Sequence, residues 1–287
     1  MLYDTSSLMQ CQAKKYAGLN FARKIRLVAP DVSSKIWYCG TSIGLSYDGL
    51  IASANFCRNR FCPICQWRRS VKLFRQNFEC FKLIKEKYPG CRFVFLTLTV
   101  RNVPIDSLAS RLVDMSAAWN RFTQRRDFKA LGLLGWLRVL EVTRNTHTGT
   151  YHPHFHVVLV VPSGCWLPDH SWWLRCWQLA ARDESIMFVN LRVLDGSKSS
   201  IEEVSKYVVK DSDFTGSAWV LEFPKLRKAL SHVRCFCPAG CWRDARRALG
   251  FVDPDKDTLT DDVSTGGMIK DFVYLYNFKM FACIGFH

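Results

Sequence analysis

The sequence lacks any run of about 20 apolar residues, so we expect no membrane-spanning helix. Its first residues, Met1-Leu-Tyr-Asp4, contain no basic stretch followed by an apolar one, so we expect no secretion signal. Internal repeats and low-complexity tracts are absent. The phosphate loop Gly-x4-Gly-Lys-Ser/Thr is also absent, which argues against an ATPase activity of the chain's own. Without a membrane span or a secretion signal, we expect a cytoplasmic protein.

Acidic residues are scarce relative to basic ones. The 25 Asp and Glu stand against 40 Lys and Arg, which gives a formal net charge of +15 in 287 residues. This imbalance favours a polyanionic partner, either nucleic acid or an anionic membrane surface. The 13 cysteines are odd in number, and without a secretion signal we expect reduced thiols or metal ligands. A reducing compartment makes nucleic acid the better candidate.

Helical and strand-like segments interleave from residue 66 onward. The predicted helices cover about 66–87, 106–125, 171–182, 201–210 and 242–249, and the predicted strands cover 92–100, 136–143, 151–161, 190–193 and 234–236. This order favours the α+β class with a mainly antiparallel sheet. We expect a basic N-terminal region at 1–88, a main domain at 89–250, and a segment at 251–287 whose role the sequence does not indicate.

Three histidines lie close together in Tyr151-His-Pro-His-Phe-His156. Because side chains alternate between the faces of a strand, His154 and His156 share one face, which His152 joins if the strand extends that far. Two imidazoles on one face suit a divalent cation. A hydrogen-bonded histidine pair without a metal is the alternative interpretation.

The hairpin before these histidines offers a third ligand. With a turn centred between His147 and Thr148, Glu141 lies opposite His154, on the same face and about 5 Å away. One carboxylate and two histidines leave positions open for water and phosphate oxygens, which suits Mg²⁺ or Mn²⁺. A shift of the register by one residue would place Glu141 on the wrong face.

The predicted helix at 201–210 carries its reactive side chains on one face. They are Glu203, Lys206, Tyr207 and Lys210, at positions i, i+3, i+4 and i+7. The tyrosine oxygen can attack phosphorus and form a covalent ester, although a pKa of about 10 makes the phenol a weak nucleophile. Lys206 or Lys210 could stabilise phosphate or phenolate, and Glu203 could act as a base for a later attack. An amphipathic helix with a solvated charged face is the alternative.

A cysteine cluster precedes the first long strand. Its members are Cys39, Cys57, Cys62 and Cys65. Four thiolates could close a tetrahedral structural Zn²⁺ site, and free thiols are the alternative. The interleaved arginines, which would then face DNA phosphates, are Arg58, Arg60, Arg68 and Arg69. A second group of Cys235, Cys237 and Cys241 has no obvious fourth ligand, and we favour a structural role for it.

Three segments occur in a characteristic order. They are Phe95-Leu-Thr-Leu-Thr-Val-Arg-Asn102, His152-Pro-His-Phe-His156 and Glu203-x-x-x-Tyr207-x-x-Lys210. Together they resemble the three motifs of the single-tyrosine rolling-circle replication initiators of small bacterial plasmids, within the His-hydrophobe-His (HUH) endonuclease superfamily. Leu140-Glu-Val-Thr143 and the cysteine run ahead of the first motif are similar to the family as well. The resemblance covers about 57–249.

The resemblance implies a ferredoxin-like or RRM-like antiparallel sheet that carries the two histidines. It implies nicking of one strand at a plasmid double-strand origin, with Tyr207 holding the 5′-phosphate while the free 3′-hydroxyl primes synthesis. His154 and His156 match the family's metal-binding histidines, and Glu203 matches the acid that activates water to end replication. We also expect Arg101 and Asn102 to bind DNA. A host helicase and polymerase are the implied protein partners.

Three other functions stay open at this point. A single-tyrosine transposase or a relaxase would use the same chemistry. However, relaxases generally place the tyrosine before the histidines, and the small transposases lack a long zinc-bearing N-terminal region. A non-catalytic zinc protein that binds DNA on an RRM-like sheet would need no role for Tyr207. A metal-dependent hydrolase would act without forming a covalent adduct.

Overall fold

The computed structural model describes most of the chain, namely residues 6–46, 49–194, 217–254, 256–257, 259–260, 272–276 and 280–286. The predicted helix at 201–210, with Glu203, Lys206, Tyr207 and Lys210, lies outside the described residues. The chain divides into two compact units, Met1–Lys72 with Asp253–His287 and Leu73–Val252. These divisions fall at other places than the boundaries predicted at 88 and 250, which stay predictions.

The described helices and strands are as follows. The helices are α1 (Ser6–Ile25), α2 (Pro30–Tyr38), α3 (Pro63–Lys87), α4 (Ile105–Gln124), α5 (Arg126–Ala130), α6 (His170–Ala181), α7 (Trp219–Leu230) and α8 (Cys241–Ala248). The strands are β1 (Ser42–Leu45), β2 (Ile51–Ala54), β3 (Arg92–Thr99), β4 (Gly135–Arg144), β5 (Tyr151–Val161), β6 (Val189–Leu194), β7 (Phe236–Gly240), β8 (Phe272–Tyr276) and β9 (Phe281–Phe286). Within the described residues, no helix combines the length and apolarity that a membrane span requires.

The first unit contains a four-stranded antiparallel sheet in the order β2-β1-β8-β9. The C-terminal segment thus supplies two strands, and β8 pairs along the whole of β1. Cys11, Leu19, Ile43, Ile51 and Tyr276 are buried together against this sheet. Burial of this apolar surface holds the two ends of the chain in one unit.

The second unit is built on a five-stranded antiparallel sheet in the order β6-β3-β5-β4-β7. Helices α4 and α6 pack on one face, where Trp119 and Trp177 lie edge-on to Phe155 at centroid distances of 6.2 and 6.4 Å. On the other face, Phe93 contacts Phe81 of α3 at 4.0 Å and Trp242 of α8 at 6.1 Å. These observations confirm the α+β class, with β5 as the central strand.

Strand β7 differs from its predicted position at 234–236, since pairing with β4 runs over Phe236–Gly240. Glycine at position 135 permits this close pairing, because any larger residue would clash with the neighbouring backbone. Its Cβ would lie 2.5 Å from the Ala239 carbonyl oxygen and 2.6 Å from the Cys241 nitrogen. Gly240 also has a positive φ of 54°, which favours glycine. The prediction that strand pairing covers 234–236 was therefore wrong by several residues.

Candidate metal centres and nucleic-acid interface

The β4–β5 hairpin positions the predicted metal ligands. Its register pairs Glu141 with His154, Val139 with His156 and Thr143 with His152. Directly paired residues share a face of the sheet, so Glu141, His154 and His156 project from the same side. The predicted register is confirmed, and the side chains of this face meet as the sequence indicated.

Glu141, His154 and His156 form a close group of three ligand atoms. The Oε2 atom of Glu141 lies 3.1 Å from Nε2 of His154 and 2.9 Å from Nε2 of His156. The two Nε2 atoms are 3.1 Å apart. Exposed fractions of only 3%, 12% and 11% for the three side chains show that most of the surrounding water is excluded.

These separations can be compared with the coordination geometry of divalent ions. Ligands about 2.1 Å from an ion and at right angles to one another are about 3.0 Å apart. A tetrahedral ion with bonds of similar length would separate its ligands by about 3.4 Å. The three distances of 2.9 to 3.1 Å are short enough for one divalent ion to bind all three atoms. Further coordination positions would be left for water or phosphate oxygens.

Contacts outside the group orient both imidazoles. Nδ1 of His154 lies 3.2 Å from the carbonyl oxygen of His152, and Nδ1 of His156 lies 3.3 Å from Oγ1 of Thr97. A proton on Nδ1 of His154 bonds the carbonyl and leaves Nε2 with its lone pair towards Glu141. This is the tautomer in which Nε2 serves as a metal ligand.

His152 lies beside the ligand group but is not one of its three members. Strand β5 begins at Tyr151, so His152 is on the strand, and its ring packs edge-on against His154 at 5.2 Å. Burial lowers the pKa of His152, and the nearby His154 acts in the same direction. Its Nε2 is buried without a hydrogen-bond partner among the described residues.

Arg192 and Asn190 extend the polar face of the sheet, and sequence analysis gave neither a role. The Phe95 ring stacks on His156 at 5.2 Å, and the guanidinium carbon of Arg192 lies 4.8 Å from the centroid of the same ring. Asn190 pairs with Thr97, which contacts His156. The sequence did contain a signal for them, because Asn190 and Arg192 are spaced i, i+2 on the strand predicted at 190–193 and therefore share one face.

Arg101 and Asn102 follow β3, whose last residue Thr99 pairs with His154. Both side chains are exposed, and Nδ2 of Asn102 lies 3.4 Å from Oγ1 of Thr150. The two residues thus lie at the end of the sheet that carries the histidines. This placement leaves them accessible to a substrate.

An ion pair joins α7 to the start of the histidine strand. The Oε2 atom of Glu222 accepts hydrogen bonds from Nε of Arg144 at 3.0 Å and from the hydroxyl of Tyr151 at 2.8 Å. Burial, followed by the Glu222 carboxylate, raises the pKa of Tyr151 above its usual range. Helix α7 is the first described helix after residue 216, and this contact holds it against the β4–β5 hairpin.

The predicted zinc ligands form the second metal-capable group among the described residues. All four sulfur atoms lie within 4.8 Å of one another. Sγ of Cys65 is 3.5 Å from Sγ of Cys39 and 3.7 Å from Sγ of Cys57. Bonds of about 2.3 Å to a tetrahedral zinc would separate the sulfur atoms by about 3.8 Å. The donor set and its spacing therefore fit Zn²⁺, and the separations are too long for disulfides.

The surroundings affect the pKa values of Cys57, Cys62 and Cys65 in different directions. Hydrogen bonds with the Cys39, Cys62 and Cys65 thiols lower the pKa of Cys57, whereas burial raises the pKa of Cys62. The Cys57 amide donates to Sγ of Cys39 at 3.2 Å. Nζ of the buried Lys15 donates to the Cys39 carbonyl oxygen at 2.8 Å.

The four arginines near this cysteine group differ in exposure. Arg58 is exposed and Arg60 is half-buried, so both have surface to offer a phosphate. Arg68 and Arg69 are only 2% and 3% exposed. Nε of Arg68 donates to the Leu259 carbonyl oxygen at 2.8 Å, and Nη2 of Arg69 donates to the Arg58 carbonyl oxygen. Burial gives this second pair a structural role in place of the predicted phosphate contacts.

The second cysteine group does not gather around one point. Sγ of Cys237 lies 2.9 Å from Nη2 of Arg138, and Sγ of Cys235 contacts the Val233 carbonyl oxygen at 3.4 Å. No metal-capable group among the described residues includes Cys235, Cys237 or Cys241. These contacts agree with the structural role favoured from the sequence.

Comparison with known proteins connects these sites to a family. A family model described as "Replication protein" matches residues 49–280. "Protein rep" from Bacillus amyloliquefaciens is 33% identical over 252 residues, covering 77% of this chain and 74% of that protein. "Protein rep" from a Bacillus species is 33% identical over 232 residues, covering 72% and 75% of the two chains.

A third relative covers less of its own length. "Protein rep" from Streptococcus pneumoniae serotype 2 (strain D39 / NCTC 7466) is 35% identical over 167 residues, which are 55% of this chain and 52% of that protein. No solved structure matches the chain. The family model extends over most of the sequence and includes three of the four clustered cysteines, Cys57, Cys62 and Cys65, and strand β8. The chain therefore belongs to the Rep family of replication proteins, in agreement with the resemblance of its motifs to plasmid replication initiators.

Proposed function

We propose that this replication protein nicks one DNA strand at a plasmid double-strand origin and thereby starts rolling-circle replication. The observation that carries this proposal is the group of Glu141, His154 and His156, whose ligand atoms lie 2.9 to 3.1 Å apart on the central strands of the sheet. Family membership supports DNA as the substrate. Such a ligand set is suited to Mg²⁺ or Mn²⁺.

The nucleophile in this proposal is Tyr207. Its phenol oxygen attacks the scissile phosphorus, the phenol proton passes to a base, and a phosphotyrosine ester forms at the 5′ end. The bond from phosphorus to the 3′ oxygen breaks, and that oxygen takes up a proton to become the free 3′-hydroxyl. Lys206 and Lys210 stabilise the charge on phenolate and phosphate in the proposed step. Glu141, His154 and His156 would hold a divalent ion, which would act as a Lewis acid towards a phosphoryl oxygen.

Glu203 provides the route out of the covalent intermediate. Acting as a general base, it takes a proton from water, whose oxygen attacks phosphorus and releases the Tyr207 phenol. Attack by a 3′-hydroxyl on the same phosphorus would instead rejoin the strand. We expect Glu203→Ala to nick normally and to terminate poorly. Loss of the first nicking step in this variant would contradict the division of roles.

The DNA path proposed here follows the polar face of the sheet. The Phe95 ring contacts both His156 of the ligand group and Arg192, while Arg101 and Asn102 follow the end of β3. Arg58 and Arg60 are exposed or half-buried in the first unit and are proposed to contact phosphates there. The five-stranded antiparallel sheet with paired histidines on its central strand supports an HUH-type, ferredoxin-like arrangement. Host helicase and polymerase are proposed as partners from the family resemblance.

We also propose that the cysteine group holds a structural Zn²⁺. Cys39, Cys57, Cys62 and Cys65 would supply the four ligands, and the metal would fix the loops between α2 and α3. Purified protein should contain about one zinc per chain under reducing conditions, as measured by elemental analysis. Much less than this in folded protein would reject the site.

A covalent-adduct assay tests the proposed nicking. Wild-type protein is incubated with Mn²⁺ and single-stranded origin DNA, and denaturing electrophoresis reveals any protein–DNA adduct. We expect the adduct to be lost in Tyr207→Phe and to persist in Tyr16→Phe, whose target is 63% exposed in the first unit. An undiminished adduct in Tyr207→Phe would overturn the assignment. No adduct with wild-type protein would favour the hydrolase or the non-catalytic DNA-binding alternative.

A further inference from the structure

The first unit carries a second basic and aromatic site, in an open cavity of about 580 Å³ between α1 and α2. Arginine, serine and aromatic side chains line it, namely Arg23, Arg26, Ser33, Ser34, Trp37 and Tyr38. Cavities of about 300–1,000 Å³ accommodate ligands the size of a nucleotide. We propose that this cavity binds one nucleotide of a single-stranded DNA segment, by an arginine–phosphate contact and by stacking of the base.

The charge around the cavity suits a phosphate. Residues 14–38 contain six basic side chains and one acidic side chain, Asp31. Arg23 and Arg26 are exposed and form no ion pair with a described residue. Nη1 of Arg23 donates to Oδ1 of Asn20 at 3.3 Å, and its other N–H donors have no hydrogen-bond partner among the described residues. The planar guanidinium fork matches the geometry of phosphate oxygens.

Two aromatic rings provide the stacking surface. Tyr38 is 61% exposed, so its ring has surface available to an unpaired base. Trp37 is half-buried, and the guanidinium carbon of Arg23 lies 5.5 Å from the centroid of its ring. A base can stack on a protein ring only when it is unpaired, so this surface favours a single strand over a duplex.

The backbone around the rings is held in place. Nζ of the buried Lys15 donates to the Trp37 carbonyl oxygen at 2.5 Å and to the Cys39 carbonyl oxygen at 2.8 Å. The Ser33 hydroxyl donates to the Ala22 carbonyl oxygen at 2.9 Å, which fixes the corner between α1 and α2. A preformed site loses less conformational entropy on binding. The contacts of Lys15 also join the cavity wall to the first zinc ligand.

This inference goes beyond the proposed nicking function, because every residue involved lies in the first unit and none is a proposed catalytic residue or metal ligand. It takes from family membership only that the polyanion is DNA. Binding to a labelled oligodeoxynucleotide that lacks the nick site therefore tests it. Fluorescence anisotropy in buffer without added divalent metal keeps cleavage out of the measurement.

Two variants and two matched controls decide the outcome. We expect Arg26→Gln to bind the single strand about three- to tenfold more weakly and to reduce the slope of log affinity against log salt by about 0.7. Tyr38→Ala should bind about 5- to 100-fold more weakly, the range found for loss of one stacked base. Lys35→Gln removes an equal charge from α2, and Tyr16→Ala removes an equally exposed ring. Both controls should stay within about twofold of wild type.

Photocrosslinking supplies a second readout. A bromodeoxyuridine-substituted strand should form an adduct that peptide mapping locates at Trp37 or Tyr38. Equal effects of Tyr38→Ala and Tyr16→Ala would overturn the proposal, as would a crosslink found only outside α1 and α2. In a competition experiment against the labelled single strand, duplex DNA should be the weaker competitor. Equal competition by duplex DNA would overturn the proposed base stacking. A failure of the proposed nicking would appear instead as a missing Tyr207 adduct, with these affinities unchanged.

Discussion

Replacing Glu141 with glutamine is the most direct perturbation of the proposed catalytic metal site. The carboxylate Oε2 lies 2.9 and 3.1 Å from the two imidazole nitrogens, so it is the single anionic ligand of the group. Glutamine keeps the shape of the side chain and removes its charge. Loss of one charged partner costs about 1.5–3 kcal/mol. Since about 1.4 kcal/mol is a factor of ten, Mn²⁺ binding should weaken about 10- to 150-fold.

Two measurements follow this loss. Adduct formation with labelled single-stranded origin DNA, titrated with Mn²⁺, gives the half-saturating metal concentration. The signal of free Mn²⁺ in electron paramagnetic resonance gives the affinity without any reaction. Glu79→Gln is the matched control, because Glu79 is 47% exposed on α3 and pairs with Lys82 at the surface. It should leave both values unchanged.

Thermal unfolding separates a metal ligand from a structural carboxylate. Glu141 is 2% exposed, and a buried carboxylate is costly to desolvate. Removing its charge should therefore leave the metal-free protein at least as stable as wild type, while Mn²⁺ should raise the melting temperature of wild type more than that of Glu141→Gln. A half-saturating Mn²⁺ concentration equal to that of wild type would refute the assignment. A large loss of stability without metal would point to a structural role.

Three further outcomes are expected. Cys65→Ser should lose the bound zinc and have a lower melting temperature, whereas Cys80→Ser, also at a buried cysteine, should keep the metal. Elemental analysis measures the zinc content, and equal contents in the two variants would contradict the proposed site. Arg192→Gln should weaken single-strand binding and reduce the slope of log affinity against log salt by about 0.7, whereas Arg175→Gln on α6 should change neither. A strand in which a neutral methylphosphonate replaces one phosphate should affect the two variants differently. An equal effect on both would count against a direct contact between Arg192 and phosphate. Glu222→Gln should destabilise the protein by about 1 kcal/mol in urea unfolding, because it removes the charge that pairs with Arg144 and weakens two hydrogen bonds. An unchanged midpoint would show the contact to be unimportant.

The second unit was largely predictable because its signals are local. Strands β3 and β5 are continuous apolar or alternating runs, and their observed bounds match the predicted ones within one residue. The hairpin register followed from a short turn, which fixes the pairing of both strands. Since pairing fixes the face, Glu141 could be placed opposite His154 from the sequence alone.

The missed elements depend on distant residues or on an interrupted pattern. Strand β8 pairs with β1 across more than 200 residues of sequence, and nothing in either segment specifies the other. Helix α7 contains Pro224, which obscured a helical pattern of buried residues at Trp219, Phe223, Leu226 and Leu230. Tertiary packing supplies what local propensity does not, since apolar positions at i, i+4, i+7 and i+11 bury one face despite the proline.

The arginines near the cysteine group show why residue type alone does not identify a DNA contact. Arg68 and Arg69 occupy the first turns of α3, where their guanidinium groups donate to the carbonyl oxygens of Leu259 and Arg58. A buried guanidinium must be hydrogen-bonded, and carbonyl oxygens satisfy it without bringing in a carboxylate. Arginine spacing could not distinguish these side chains from the accessible Arg58 and Arg60.

A polar stripe on a sheet that is otherwise packed between helices is itself an indication of function. Glu141, His154 and Thr97 interrupt strands whose other positions are mostly apolar, and each interruption reduces the apolar area that the sheet can bury. Such a cost is sustained only where the polar groups bond one another or a ligand. The stripe ends at Arg192, an exposed cation held against Phe95 beside the histidines. A divalent cation bound by this group and an exposed arginine on the same face would both attract anions, which is the arrangement that a DNA strand lying along this face would require.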